Sequence, residues 1–406
     1  YDWLYQYWNE EQRATIRNAI VKNGLKPGIQ AYNGAAYGWW TSVYHNWNAV
    51  CNTGLLMGAA AIAEEEPEIS GEICVKALKS IEYMLPTFAP DGGWDEGVAY
   101  WQYMASYLTM MLSTLDTAFG NDYGYFLANG ISQTCLFPIY MQGTKAIFNF
   151  HDAAQMNTIN SPELFWYAQK LNNPSLAGLR IGYMNQFGLG GSIKDLIWYH
   201  PAIVDYNVQI PPDKLFRSVE TVSFISEWNN KDAIYAGLHG GAVSVNHGQY
   251  DAGTFVLDAL DERWAVDLGA DDYTLPGYFG NQRGTYYRIR AEGQNTIVIN
   301  PNSGPDQNVS GFSKIVDFET KPKGGLGILD MTDVLSPNAV SAKRGIKIDE
   351  NRTRVTLQDE LKLNGPSDVY WFMHTRADIE ISKDGKSAVL TQNGKRLWVG
   401  MSSPAN

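Results

Sequence analysis

Three polar islands in this chain carry side chains suited to proton chemistry: NHGQYDAGTF (246–255), HNWNAVCNTG (45–54) and DGGWDEGVAYWQY (91–103). Between them they offer an amide at Asn46, imidazoles at His45 and His247, and a phenol at Tyr100. Such a set can neutralise a carboxylate, abstract the weakly acidic proton beside it and protonate an oxygen leaving from the next carbon. A sugar acid in a polymer is cleaved by those steps without water. The carbanion at C5 would sit beside an anionic carboxylate, so a donor that cancels that charge is the first requirement. A base on one face and an acid at the leaving C4 oxygen are the others. Asn46 or His45 suits the first role; Tyr100 and His247 suit the rest, their pKa values being tunable by neighbouring cations. Each residue also has an ordinary use. Asn46 could cap a helix beginning near Trp47, Tyr100 could pack in an aromatic core, and His247 could line a turn. Tyr103, one helical turn beyond Tyr100, competes for the phenol's role.

Two kinds of element must position these groups. Helical spacing of apolar residues predicts helices over 10–24, 47–66, 69–85, 98–120, 124–143, 162–172 and 175–187, with Gly24 as a C-cap and Pro67 as a break. Several are apolar on more than one face, as in helices packed in two concentric layers. Consecutive hairpins with short loops then predict an incomplete α/α toroid over residues 1–207. Past Pro201, Pro211 and Pro212 the period changes to two, and strands are predicted over 218–228, 233–241, 254–260, 263–269, 295–300, 352–363, 368–375 and 396–401. An antiparallel β-sandwich over 208–406 fits best, and the strand so near the last residue suggests a sandwich cut short. The fold class is therefore multidomain α and β. Clefts form where domains meet, so both halves can share one site.

At 406 residues the chain can bury two medium cores or one large one. No run reaches the roughly 18 apolar residues of a membrane span. A net charge of −12 argues against nucleic acid as a partner, and an acidic polysaccharide would need a local basic patch; Arg263, Arg283, Arg288 and Arg290 are its best candidates. Thirteen Trp and 24 Tyr suit stacking on sugar rings. Trp47 and Trp101, within the islands, and Tyr287, closely preceding Gln294, are the candidate substrate-binding aromatics, with Arg283 and Arg288 able to grip carboxylate or sulfate. Cys51, Cys74 and Cys135 fit no metal spacing and read as small buried hydrophobes. His151 and Asp152, in FNFHDAAQ (148–155), border the cleft or merely form a turn. The chain opens at Tyr1 in polar and aromatic sequence, so it is expected to begin inside a longer precursor.

In this order and spacing the islands resemble those of the heparinase II/III superfamily, which includes glycosaminoglycan and alginate lyases. The resemblance covers most of the chain. It implies a toroid followed by a sandwich and β-elimination on uronate polymers: heparan sulfate, chondroitin, hyaluronan or alginate. HNWNAVCNTG is similar to the family segment that holds the carboxylate neutraliser, which makes Asn46 that residue, with His45 beside it. EGVAYWQY resembles the segment of the catalytic tyrosine, at Tyr100. NHGQYDAGTF resembles the His-x-His-x-Asp signature, which makes His247 the candidate base or a helper of the neutraliser. The family commonly holds a structural zinc in the sandwich, at positions matching Gln249, Asp267 and Gln294 here. Two amides and a carboxylate offer a metal only oxygen, so a harder ion such as calcium or manganese, or a metal-free hydrogen-bonded cluster, competes with zinc. The resemblance also implies a secreted or periplasmic protein. Two rivals stand beside this reading. Asp91, Asp95 and Glu96 supply carboxylates for a glycoside hydrolase, and a non-catalytic glycan-binding protein could retain the cleft.

Overall fold

The computed structural model describes residues 1–208 and 210–402. Its first half is helical. Among the described residues the α-helices are α1 (Glu10–Ile20), α2 (Lys26–Tyr32), α3 (Asn46–Ala61), α4 (Pro67–Ile81), α5 (Val98–Thr114), α6 (Leu136–Tyr140), α7 (Glu163–Lys170), α8 (Pro174–Phe187) and α9 (Ile193–Trp198). Local chemistry sets several of the starts. Asn9 and Gln12 form a reciprocal capping box at α1, and Ser192 with Asp195 repeats it at α9. Asn173 caps α8 ahead of Pro174.

Two helical expectations fail for identifiable reasons. Gly24 does not end a helix; Val21–Leu25 wind as a π turn straight into α2, which brings Leu25 into a small apolar cluster with Ala59, Ile62 and Ile73. Residues 124–143 are not one helix. Gly124 and Gly130 adopt left-handed conformations (φ 81 and 88), leaving two 3-10 turns and the short α6. A Cβ at Gly130 would lie 2.0 Å from the Phe88 carbonyl oxygen, so the chain is held there by close packing.

The second half is built of strands: β1 (Asp213–Phe216), β2 (Thr221–Ile225), β3 (Tyr235–His239), β4 (Gly241–Ala242), β5 (Phe255–Ala259), β6 (Glu262–Ala265), β7 (Ile297–Ile299), β8 (Phe312–Lys321), β9 (Gly324–Asp330), β10 (Ala339–Asp349), β11 (Arg354–Leu363), β12 (Val369–Trp371), β13 (Asp378–Ile381), β14 (Ser387–Gln392) and β15 (Lys395–Gly400). They form two five-stranded sheets, ordered β1-β2-β3-β5-β6 and β11-β10-β9-β8-β4, a β12-β7 pair and a β13-β14-β15 sheet. The named pairings are all antiparallel. Val222, Phe224, Leu238 and Phe255 of the first large sheet share one core with Ile315, Leu329, Ile346 and Ile348 of the second.

The two halves are also joined by a common core. Phe216, Ile225, Tyr235 and Val256 pack in the same apolar cluster as Trp94, Trp101 and Phe148 of the helical half. Tyr235 donates to the Tyr140 carbonyl at 2.8 Å, and Tyr140 donates to the Pro211 carbonyl at 2.8 Å. The site described next lies along this junction. Of the cysteines, Cys135 is buried while Cys51 and Cys74 are half-buried. No described helix is long and apolar enough to cross a membrane.

Candidate active site

On the sheet side, His247 follows β4 with a left-handed backbone (φ 61). A non-glycine residue held there marks a conformation its surroundings impose. The clamp is Asp152, whose own loop includes His151 at φ 60. Its backbone N–H donates to the His247 carbonyl at 3.2 Å. Its Oδ2 meets His247 Nδ1 at 3.1 Å. Its Oδ1 accepts from Gln249, Tyr278 and Arg283, each at 2.9 Å. Burial alone would raise this carboxyl, but the bonds from His247, Arg283 and Gln249 outweigh it and bring it down to about 2. An ionised carboxylate can only accept, so Nδ1 of His247 donates to it, leaving Nε2 outside this bond. The imidazole is thereby fixed in direction.

Tyr100 belongs to the first turn of α5 and crosses to this imidazole. The two rings stack with centroids 4.1 Å apart at 20°. Its hydroxyl bonds to that of Tyr273, which also lies 3.3 Å from His247 Nδ1. Burial raises the Tyr100 phenol; Asp152 and Glu96 push the same way, against the Tyr273 bond and Arg283. The phenol therefore stays protonated at neutral pH, which suits a proton donor. Tyr103 points elsewhere: it is exposed and packs edge-on against Tyr107.

Asn46 and His45 sit at the start of α3, and the rest of their island explains why. Asn48 donates to the Trp40 carbonyl at 3.2 Å and the Ser80 carbonyl at 3.1 Å. Asn52 donates to Ser80 Oγ at 2.9 Å and accepts from Tyr32 at 2.6 Å. Thr53 donates to the Tyr107 carbonyl of α5 at 3.0 Å. These buried bonds fasten α3 to α4 and α5, so its N-terminus is fixed relative to Tyr100. Asn46 is not the cap; His45 holds that position, without a capping side-chain bond. His45 Nδ1 lies 3.3 Å from Asn46 Oδ1. Because that oxygen accepts, Nδ1–H donates, and Asn46 Nδ2 is left as a donor for another group. Burial pulls His45 below the ordinary histidine value and nearby His247 adds to this, against Asn46 and Asp95. At neutral pH, His45 therefore contributes hydrogen bonds and no full charge.

Several anticipated residues do other work. Trp101 is fully buried and donates to Thr134 Oγ1 at 2.7 Å, so it packs the core and cannot stack on a sugar. Trp47 is exposed, edge-on to Trp39, whose ring stacks over His45 at 6.0 Å. The expected basic patch does not form. Arg263 is paired with buried Asp258, Arg290 with Asp306 and Glu292, and Arg283 with Asp152. Arg288 donates to the Leu268 and Ala270 carbonyls at 2.7 and 3.1 Å. A chain of net charge −12 has spent these cations on its own acceptors. Tyr287 is exposed and meets His374 Nε2 at 3.0 Å.

The three candidate metal positions fit zinc poorly. Gln294 Nε2 donates to Gln249 Oε1 at 2.7 Å and to the Arg288 carbonyl at 2.6 Å, while Gln249 donates to Asp152. The amides thus form a hydrogen-bonded chain leading to the His247 clamp. Asp267 accepts from Gly269 with one oxygen and leaves Oδ2 unpartnered; burial raises its carboxyl to about 7. With neither imidazole nor thiolate, the set lacks the donors zinc prefers.

The residues missed at the sequence level are Asp152 as clamp, Tyr273, Tyr278, and the Asn246–Glu96 bond across the two halves. The signals were present but weak: a His-Asp pair in an apolar loop, and an aromatic, glycine-rich loop over 271–284.

Residues 231–404 match the family described as Heparinase II/III-like, C-terminal. No curated protein matches the chain. Among solved structures, the heparan sulfate lyase HepC from Pedobacter heparinus is similar with a TM-score of 0.65 at 12% identity, over 87% of this chain and 52% of that one. Two heparinase III structures give TM-scores of 0.64 and 0.62 at 16% and 15% identity, over 85% and 84% of this chain and 50% and 52% of theirs. The chain spans about half the length of these structures, and at such identities the likeness is one of fold. Residues 231–404 thus carry a match to the heparinase II/III-like C-terminal family, joined to a helical N-terminal region, and the chain has a heparinase-like fold.

Proposed function

We propose that this protein is a polysaccharide lyase that cleaves uronate-containing polymers by β-elimination. The observation that carries the reading is the stack of Tyr100 on His247, one residue from each half, with Asp152 fixing the imidazole from behind. We read residues 1–207 as an incomplete α/α toroid and those from 208 onward as an antiparallel β-sandwich. The short connections of α3 to α4 and α7 to α8 support the first, and the core shared by the two large sheets supports the second.

In this mechanism Asn46 Nδ2 donates to the uronate carboxylate, helped by His45, so the charge formed on losing the C5 proton is spread onto a hydrogen-bonded acid group. His247 Nε2 takes that proton. The electron pair of the C–H bond becomes the C4=C5 double bond, the C4–O bond breaks, and the Tyr100 phenol passes its proton to the leaving oxygen. Tyr273, bonded to both Tyr100 and His247, is positioned to return a proton to the phenolate. Where the C5 proton and leaving oxygen are syn, Tyr100 would have to act at both ends. Burial that keeps its phenol protonated works against this, so the route with His247 as base is the better matched.

A hydrolase needs two available carboxylates, and two of the three candidates here, Glu96 and Asp91, are engaged. Both oxygens of Glu96 accept bonds, from Asn246 and Trp94, and Asp91 accepts from Arg217 and Ser218. The fold likeness to heparan sulfate lyases makes heparan sulfate the first polymer to try, ahead of chondroitin, hyaluronan and alginate. Such polymers lie outside the cytoplasm, and we assign the protein there, secreted or periplasmic. Incubation with each polymer separates the readings. Elimination raises ultraviolet absorbance from an unsaturated uronate in step with new chain ends; new reducing ends without absorbance would replace the lyase with a hydrolase.

A further inference from the structure

We propose that His151, His239 and Asp251 form a zinc site buried behind the loop that holds His247. The three come from separate parts of the chain: the loop after Phe150, the end of β3, and the turn before β5. One ligand atom from each lies within 4.8 Å of the other two, and all three residues are buried. None of the three is a reacting group in the mechanism above.

The hydrogen bonds leave His239 and Asp251 each with a free acceptor, while His151 Nδ1 is engaged with Asp251. Thr221 donates its hydroxyl proton to the Val219 carbonyl at 3.0 Å, so the 2.7 Å contact with His239 Nδ1 has the imidazole N–H as donor. His239 Nε2 therefore carries a lone pair, and that buried nitrogen has no partner among the described residues. Asp251 Oδ2 accepts from both the backbone and the ring Nδ1 of His151, at 2.8 and 2.9 Å. Its Oδ1 is buried and unpartnered as well. Two orphaned acceptors side by side in an interior call for a shared positive partner. A divalent cation serves both and, unlike a single shared proton, also takes a third donor from His151.

The donor set selects the ion. Two imidazoles and one carboxylate suit zinc, while calcium and magnesium prefer shells made of oxygen. The outer contacts have the usual form around a ligating histidine, with the far nitrogen of His239 bonded to a protein oxygen. Tetrahedral zinc sets donors roughly 3.3 Å apart, so the ion would draw the cluster inward from its present span. The consequence reaches the active site. His151 precedes Asp152, the clamp on His247, and Asp251 follows Gln249, another partner of Asp152. An ion here would pin the 151–152 loop to the 247–251 turn as a positioning device.

The test uses the whole chain, stripped with chelator and then exposed to zinc or cobalt. Metal analysis after gel filtration should find about one ion per chain, cobalt should give the visible bands of a tetrahedral site, and the thermal midpoint should fall on chelation and recover with zinc. His239→Gln and Asp251→Asn should weaken binding by about a hundredfold or more, with Asp267→Asn unaffected. X-ray absorption on zinc-loaded wild type decides the matter if those variants fail to fold, because two imidazoles and no sulfur are expected. Sulfur ligation, an all-oxygen shell, no uptake by wild type, or unchanged uptake by folded His239→Gln and Asp251→Asn would each overturn the proposal.

Discussion

On the sheet side of the site, His247 is gripped through its ring and its backbone by Asp152, which also accepts from Gln249, Tyr278 and Arg283. On the helix side, Asn46 has one side-chain partner among the described residues, the neighbouring His45. Its position comes from bonds deeper in α3, at Asn48 and Asn52, which never touch the cleft. The difference separates two ways of preparing a group for chemistry. A base must hold one tautomer and one direction, so its orienting partner contacts it directly. In the proposed mechanism a carboxylate binder keeps donors free for the ligand, so Asn46 is fixed through the backbone and only its oxygen is paired.

That contrast can be broken one residue at a time. His247→Ala, which removes the braced base, is expected to lower kcat by about 10³–10⁴-fold on a uronate polymer, measured as the rate of ultraviolet product formation. Asn46→Ala removes one donor to the developing charge and should cost about 10²–10³-fold, with the fold unchanged by circular dichroism. Asp152→Asn keeps the shape but loses the charge that selects the His247 tautomer, and a fall of roughly 10²-fold or more is expected. Asp152 also gives a pH signature. Its folded value, about 2, lies below the unfolded value near 4, so its stabilisation is present above about pH 4 and is lost as pH falls toward 2. Denaturant unfolding of Asp152→Asn across that window should lack this component.

Asp267 is the opposite case, a buried carboxyl with an unpartnered oxygen and a folded value raised to about 7. Between about pH 4 and 7 the unfolded chain releases this proton while the folded chain retains it, so its contribution destabilises the fold as pH rises. Asp267→Asn should flatten that decline. Relative to wild type it should gain on the order of a few kcal/mol at pH 8, with the difference vanishing near pH 4 in denaturant unfolding.

The residues of the proposed site were legible where their chemistry is local. Asn46, Tyr100 and His247 stand in short polar islands, and α3, α4, α5, β2, β3 and β5 follow clear apolar periods. Partners 95 residues or more apart were not legible, which is why Asp152 read only as a residue bordering the cleft or forming a turn. Trp101 misled because an aromatic beside Tyr100 looks the same in sequence whether it faces the cleft or the core. Strands β8 to β10 escaped for other reasons. β10 buries Arg344, paired with Asp359, where an apolar residue would complete the alternation. β9 is rich in glycine, and a Cβ at Gly325 would lie 2.6 Å from the Phe224 ring, so sheet packing displaces the usual strand residues.

Tyr100→Phe tests the central claim most directly, because it deletes one oxygen at the point where the halves meet and keeps the ring that stacks on His247. Ultraviolet product from a uronate polymer should fall by about 10³-fold or more while thermal stability stays close to wild type. A folded Tyr100→Phe protein that forms the unsaturated product at the wild-type rate would contradict the account.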